Sequence, residues 1–152
     1  MVKNLYKTLK EEIISFERFD NNEIVVIDRT GHTMWSWYAN QKLSYTQYVS
    51  SIKNYSAIKV EGLEKNQNIK KFFGKLKIKD IHLFYSPKTD YSFGWHHDTT
   101  NVMLYVIKGR KRVQIKNKIY ILKSGDCVSI PKGHKHRVFN QKDTWAISIG
   151  LK

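Results

Sequence analysis

Hydrophobic positions along this 152-residue chain fall into two regimes. Toward the N-terminus apolar residues recur every three to four positions. Leu5, Leu9, Ile13 and Phe16 predict a helix over 4–17, and Tyr45, Tyr48, Val49 and Ile52, behind a Ser44 cap, predict a second over about 45–54. A third, over 66–76, turns Ile69, Phe72, Phe73 and Leu76 to the core. Segments 23–27 and 56–60 read as short strands. Beyond them a period of two takes over. Strands are predicted at 80–85, 94–107, 110–116, 118–122, 127–130, 135–140 and 144–151, joined by turns such as Ser124-Gly125-Asp126 and Pro131-Lys132-Gly133. Many short strands at close spacing indicate a sandwich or barrel. The chain is expected to form one domain over 1–152, with a lead-in of helices and strands (1–77) and a barrel core (78–152). In the last strand Trp145, Ile147, Ile149 and Leu151 form a core face. Ala146, Ser148 and Gly150 form a small-residue face beside a pocket.

Composition narrows the class. With 41% hydrophobic and 13% aromatic residues the chain has the makings of a packed core rather than of disorder. It has no apolar run of membrane-spanning length, and the N-terminus lacks the apolar centre and cleavage site of a signal peptide. A soluble, cytoplasmic protein is expected. The single cysteine, Cys127, excludes an internal disulfide framework and a cysteine-based zinc site. The net charge of +14 raises the question of a nucleic-acid partner, with Arg110, Arg112, Lys116 and Lys118 as the surface. But 22 of the 27 basic residues are lysine, whereas arginine is the better fork for phosphate, so a solvated lysine surface is favoured over a polyanion partner. Val102 to Ile107 is apolar on both faces, which suits a barrel interior or a homodimer contact.

The chemistry gathers in Trp95-His96-His97-Asp98. In a strand His96 and Asp98 share a face and His97 takes the other. One imidazole and one carboxylate are two-thirds of the 2-His-1-carboxylate set that holds non-haem Fe(II). In 110–116 the alternation puts Lys111 on the apolar face with Val113 and Ile115, where a lysine must meet an anion or lose its charge. His32 is a further histidine, read as a solvated or core residue rather than a ligand.

The third ligand comes from a motif. Gly125 to Asn140 matches the second cupin motif, G-x5-P-x-G-x2-H-x3-N, at every fixed position, with His136 in the ligand place and His134 as its competitor. The first cupin motif is matched in its spacing by His96, Asp98, Val102 and Gly109, with Asp98 for a second histidine and Val102 for a glutamate. From about Leu43 to the C-terminus the chain resembles the JmjC-type Fe(II)/2-oxoglutarate oxygenases, and among them the ribosomal oxygenases, which hydroxylate protein side chains. The resemblance implies a mainly β, double-stranded β-helix (a cupin or jelly-roll barrel) with flanking N-terminal helices. It implies Fe(II) on His96, Asp98 and His136, and 2-oxoglutarate gripped at its distal carboxylate by Lys111, with Tyr85 and Ser92 as further cosubstrate contacts. It also implies a protein, peptide or small-molecule substrate. His82 stands where that family has an asparagine. Two other functions fit the same residues: a metal-dependent cupin isomerase or dioxygenase that does not use 2-oxoglutarate, and a non-enzymatic barrel binding a small ligand or nucleic acid.

Overall fold

The structure is a computed structural model that describes residues 2–13, 24–27, 33–35 and 57–152. The expected helix at 45–54, the end of the first helix and His32 lie outside the described residues. Helix α1 (Val2–Ile13) comes first, followed by strands β1 (Ile24–Ile27), β2 (Thr33–Trp35) and β3 (Ala57–Val60). The helix expected over 66–76 is broken up. A helical turn (Gln67–Lys70) passes into a 3-10 turn (Lys71–Phe73) that ends at Gly74, whose positive φ of 55° no helix continues. Ile69 is fully buried, whereas Leu76, beyond the break, is 39% exposed.

Eight strands then follow: β4 (Ile78–Ser86), β5 (Asp90–His96), β6 (Val102–Lys108), β7 (Arg110–Ile115), β8 (Lys118–Lys123), β9 (Cys127–Ile130), β10 (His136–Asn140) and β11 (Thr144–Leu151). Six of these were expected as separate strands, but the expected 94–107 is not one strand. It divides at 97–101 into the end of β5 and the whole of β6. Asp98 therefore sits in a connection, not in the strand that carries His96.

The eight pair antiparallel in nested fashion: β4 with β11, β5 with β10, β6 with β9 and β7 with β8. This is one long hairpin with its tip at β7–β8. Folding that hairpin over brings β10 beside β7 and β11 beside β6, which closes two sheets. The larger runs β2-β1-β3-β4-β11-β6-β9 and the smaller β5-β10-β7-β8. That order is a double-stranded β-helix, the jelly-roll barrel expected from the sequence.

Alternation along the strands produces two cores. Between the sheets lie Val102, Leu104 and Val106 of β6, Val113 and Ile115 of β7, Val138 and Ala146. On the outer face of the larger sheet Ile81, Leu83, Ile107, Trp145, Ile147 and Ile149 pack against Leu5 and Leu9 of α1 and against Leu63 and Ile69. The four-residue spacing of Leu5 and Leu9 is what lets one helix face cover that sheet. Both faces of β6 are thus covered within the chain. Among the described residues no helix is long and apolar enough to cross a membrane.

Gly109 makes the turn between β6 and β7 with a φ of +84°, and a Cβ there would lie 2.5 Å from Thr144 Oγ1. Thr144 is fully buried and its hydroxyl is held between the Gln141 and Arg110 carbonyls, so it has nowhere to move. Gly109→Ala should therefore destabilise the fold by about 2–3 kcal/mol, combining left-handed strain with a clash. Chemical denaturation would read this as a lower midpoint with an unchanged slope.

Candidate metal and anion site

The pairing of β5 with β10 sets His136 opposite His96, 40 positions apart in sequence. Cross-strand partners stand side by side on one face, and here the ring centroids are 4.2 Å apart. Each imidazole is turned by its own backbone. His96 Nδ1 lies 2.8 Å from the Gly94 carbonyl oxygen and His136 Nδ1 lies 2.9 Å from that of His134. A carbonyl only accepts, so in both rings Nδ1 carries the proton and Nε2 is the nitrogen that can bind a metal.

Asp98 arrives by a different route. The 97–101 connection is tied to the turn before β10 by Gly133 N–H donating to the Asp98 carbonyl (3.0 Å) and Lys132 N–H donating to the Asn101 side chain (2.9 Å). This brings Asp98 Oδ2 to 3.3 Å from His136 Nε2. One donor atom from each of His96, Asp98 and His136 lies within 4.8 Å of the others. Two imidazole nitrogens and one carboxylate oxygen in such a cluster could hold a divalent ion, and the set is of the intermediate hardness that suits first-row transition metals. His97 is exposed, and His134 serves through its backbone carbonyl.

The electrostatics fit a cation site. The hydrogen bond from His136 holds the Asp98 carboxyl below the usual carboxylate range against the opposing effect of burial. Burial works against charge on His136, but the hydrogen bond to Asp98, the His134 carbonyl and the Asp98 charge outweigh it and raise its pKa. Burial, helped by the neighbouring His136, lowers that of His96 against the pull of the Gly94 carbonyl.

The three residues line a cavity of about 240 Å³ between the sheets. Lys111 lines it too, at 3% exposure. Its Nζ donates to Asn140 Oδ1 (2.6 Å) and lies 5.9 Å from the centroid of the Phe84 ring. Among the described residues no carboxylate forms an ion pair with it, and burial alone pushes its pKa down to about 7. Asn140 pairs with Lys111 across β10 and β7, four residues along β10 from His136, or ~13 Å of extended backbone. The cation and the metal donors thus face opposite ends of one small chamber.

The sequence reading of Tyr85 needs correction. In β4 His82 and Phe84 point into the cavity, so Tyr85 points out, where it packs edge-on against Trp145 with centroids 5.5 Å apart. It cannot touch a ligand in the barrel. Ser92 lies in β5, but its side chain is outside the described residues. Asn140, read as a loop residue, is a fully buried strand residue whose Nδ2 has no hydrogen-bond partner among the described residues. The signal was present in its spacing: His136, Val138 and Asn140 share one face of a strand. Lys59, Lys79, Asp80 and His82 also line the cavity and carried no motif. The small-residue face of β11 does border it. Ser148 lines the cavity, and Gly150 leaves the space that the Asp80 carboxylate fills.

Residues 83–149, from β4 to β11, match the protein family described as Cupin domain. That stretch of the barrel is similar to a cupin domain. The match and the strand order together support the cupin superfamily. Similar solved structures include a conserved protein of unknown function from Streptococcus pyogenes (19% identity, TM-score 0.45, covering 48% of this chain and 63% of that one). Others are a cupin superfamily protein from Desulfitobacterium hafniense (14%, 0.45, 47% and 65%) and a cupin-like protein from Thermotoga maritima (20%, 0.49, 62% and 68%). The chain thus spans less than two thirds of the length of the first two. A comparison with curated protein sequences gave no match.

Replacing a donor ring should abolish metal binding while replacing its neighbour should not. His96→Ala and His136→Ala are expected to weaken Mn(II) or Fe(II) binding by about 100-fold or more. His97→Ala and His134→Ala should stay within about threefold, because alanine at 134 keeps the carbonyl that orients His136. Anaerobic calorimetric titration of each variant reads the difference.

Proposed function

We propose that this protein is a cupin-type Fe(II)- and 2-oxoglutarate-dependent oxygenase that hydroxylates a C–H bond of a protein side chain or small molecule. The observation that carries the reading is Lys111. A buried amine with no carboxylate partner among the described residues shares a small chamber with a two-histidine, one-carboxylate cluster. Burying a cation is costly unless an anion meets it, and a dicarboxylate anchored near the cluster would supply that anion. Three protein donors are fewer than the four of the usual cupin motif, which leaves room at a metal for a bidentate cosubstrate.

In this reading His96, Asp98 and His136 would hold Fe(II), and Lys111 and Asn140 would take the distal carboxylate of 2-oxoglutarate. The metal and cosubstrate supply the oxidation, coupling decarboxylation of 2-oxoglutarate to hydroxylation. The chain's own work is to bind, orient and keep the chamber dry. Lys111 neutralises the far carboxylate, Asn140 holds the ammonium in place and can donate a second hydrogen bond through Nδ2, and the Val102, Leu104, Ile130 and Val138 side chains exclude water. Lysines outnumber carboxylates along the cavity wall (Lys59, Lys79 and Lys111 against Asp80 and Asp98), which favours anionic ligands.

One observation favours a second reading. His82 lines the cavity, and burial and the Lys59 charge lower its pKa, so it presents a neutral imidazole there. A neutral base near a bound metal suits proton transfer in a cupin isomerase or lyase. Succinate release that requires both Fe(II) and 2-oxoglutarate supports the oxygenase. Turnover of 2-oxoglutarate absent under every condition, with the metal bound, refutes it.

Lys111→Ala should weaken 2-oxoglutarate binding by about 100-fold, ~2.7 kcal/mol, and leave metal affinity within about threefold. Parallel titrations of metal and cosubstrate separate the two effects. The pH dependence has a definite sign. Below about 7 Lys111 is already charged in the ligand-free protein, and above it the amine is neutral and must take up a proton to meet the carboxylate. Cosubstrate affinity should therefore fall roughly tenfold per pH unit between about pH 7 and 9, with proton uptake on binding visible in buffers of differing ionisation enthalpy.

A further inference from the structure

The same strands that send His96, His136 and Lys111 inward send a different set of residues outward. The arginines of this lysine-rich chain that fall among the described residues are Arg110, Arg112 and Arg137, and all three lie on the outer face of the smaller sheet. Two of them sit over aromatic rings. Arg137 lies over both Tyr91 and Trp95, 5.0 and 4.8 Å from their centroids, with Nε donating to Gln114 Oε1 (3.1 Å). Arg112 lies over Phe139 at 4.9 Å, with Nη2 donating to the Tyr91 hydroxyl (3.3 Å), and Tyr91 and Phe139 meet edge to face at 4.9 Å. Trp95 remains 46% exposed, and on neighbouring β8 Ile119 and Ile121 are 58% and 67% exposed.

We propose that this face binds single-stranded nucleic acid. A guanidinium stacked on a ring keeps its N–H edges for phosphate while its plane, like the open part of the Trp95 indole, offers a surface on which a base can stack. Among the described residues none of the three arginines pairs with a carboxylate, and the outward positions of β7, β8 and β10 carry no acidic residue. Fixing the guanidinium groups beforehand lowers the entropy lost on binding. A four-stranded face on which no helix is seated among the described residues suits a strand whose bases are free rather than a duplex groove. The exposed isoleucines invite a second copy of the chain, but a face with this much uncompensated positive charge repels its own copy at a symmetric contact. The surface is separate from the cavity and does not depend on what the cavity does.

Fluorescence anisotropy with labelled 12-nucleotide oligo-U and oligo-dT tests it, using Arg112→Ala/Arg137→Ala and a control, Lys70→Ala/Lys71→Ala/Lys75→Ala. The wild type should bind with an affinity that falls steeply with salt. The arginine variant should lose about tenfold or more, with the salt slope reduced by ~1.4, and the lysine control should lose less than about threefold. Thermal melting and metal titration show that each variant is folded. If the alanine pair fails to fold, Arg112→Lys/Arg137→Lys keeps the charge and should still lose about threefold or more, since lysine lacks the fork and the stacking plane. The proposal is overturned by no oligonucleotide binding at 50 mM salt, by equal losses in the arginine and lysine variants, or by full binding in the lysine-for-arginine pair. Competition by polyglutamate as effective as by oligonucleotide, or a dimer broken by Ile121→Asp, also overturns it.

Discussion

Strand β10 is hydrogen-bonded on both sides, to β5 and to β7, and the rest of the site follows from those two ladders. One fixes His136 opposite His96 and the other fixes Asn140 opposite Lys111. Side-chain direction along a strand has a period of two, so a slip of one residue in either ladder would turn the whole inward set toward solvent. The barrel specifies this register strongly, because Val138 between the two polar ends is part of the core between the sheets. The candidate metal donors and the buried amine are held in mutual position by backbone pairing and by the apolar residues that alternate with them.

Lys111 is the unresolved tension in the ligand-free protein. Its buried amine has the Asn140 carboxamide oxygen as its hydrogen-bond partner and the Phe84 ring nearby, and burial lowers its pKa to about 7. Asn140 offers its oxygen to the ammonium and keeps an unused N–H donor in the same buried place. A buried ammonium with no counter-charge beside a spare N–H donor is poor for stability and well suited to an anion.

The smaller sheet has one face for each kind of chemistry. Inward it presents imidazoles and an amine to the cavity, and outward it presents arginines and aromatic rings to solvent. His136 and Arg137 are neighbours in sequence, as are Trp95 and His96 and likewise Lys111 and Arg112, yet the pleat separates each pair by the thickness of the sheet. What one face does is therefore open to change without disturbing the other.

Much of this was legible in the chain itself. Period-two alternation announced the strands, and strict alternation over 110–116 placed Lys111 inside without reference to any family. The spacing from Gly125 to Asn140 pointed to His136 over His134, and the structure keeps that distinction, using the ring of one and the carbonyl of the other. Other features were set by contacts distant in sequence. Asp98 reaches the cluster from a connection pinned by Gly133, not from the strand that periodicity suggested. Tyr85 lost its place in the site because β4 turns His82 and Phe84 inward. Lys59 and Asp80 joined the cavity wall, and Asn140 came to hold Lys111, because of the strands they face. Alternation tells a residue which side of a strand it is on, a property of the local backbone. Which strand lies opposite, and hence which donors meet, depends on how one long hairpin folds over itself, and only the assembled barrel decides that.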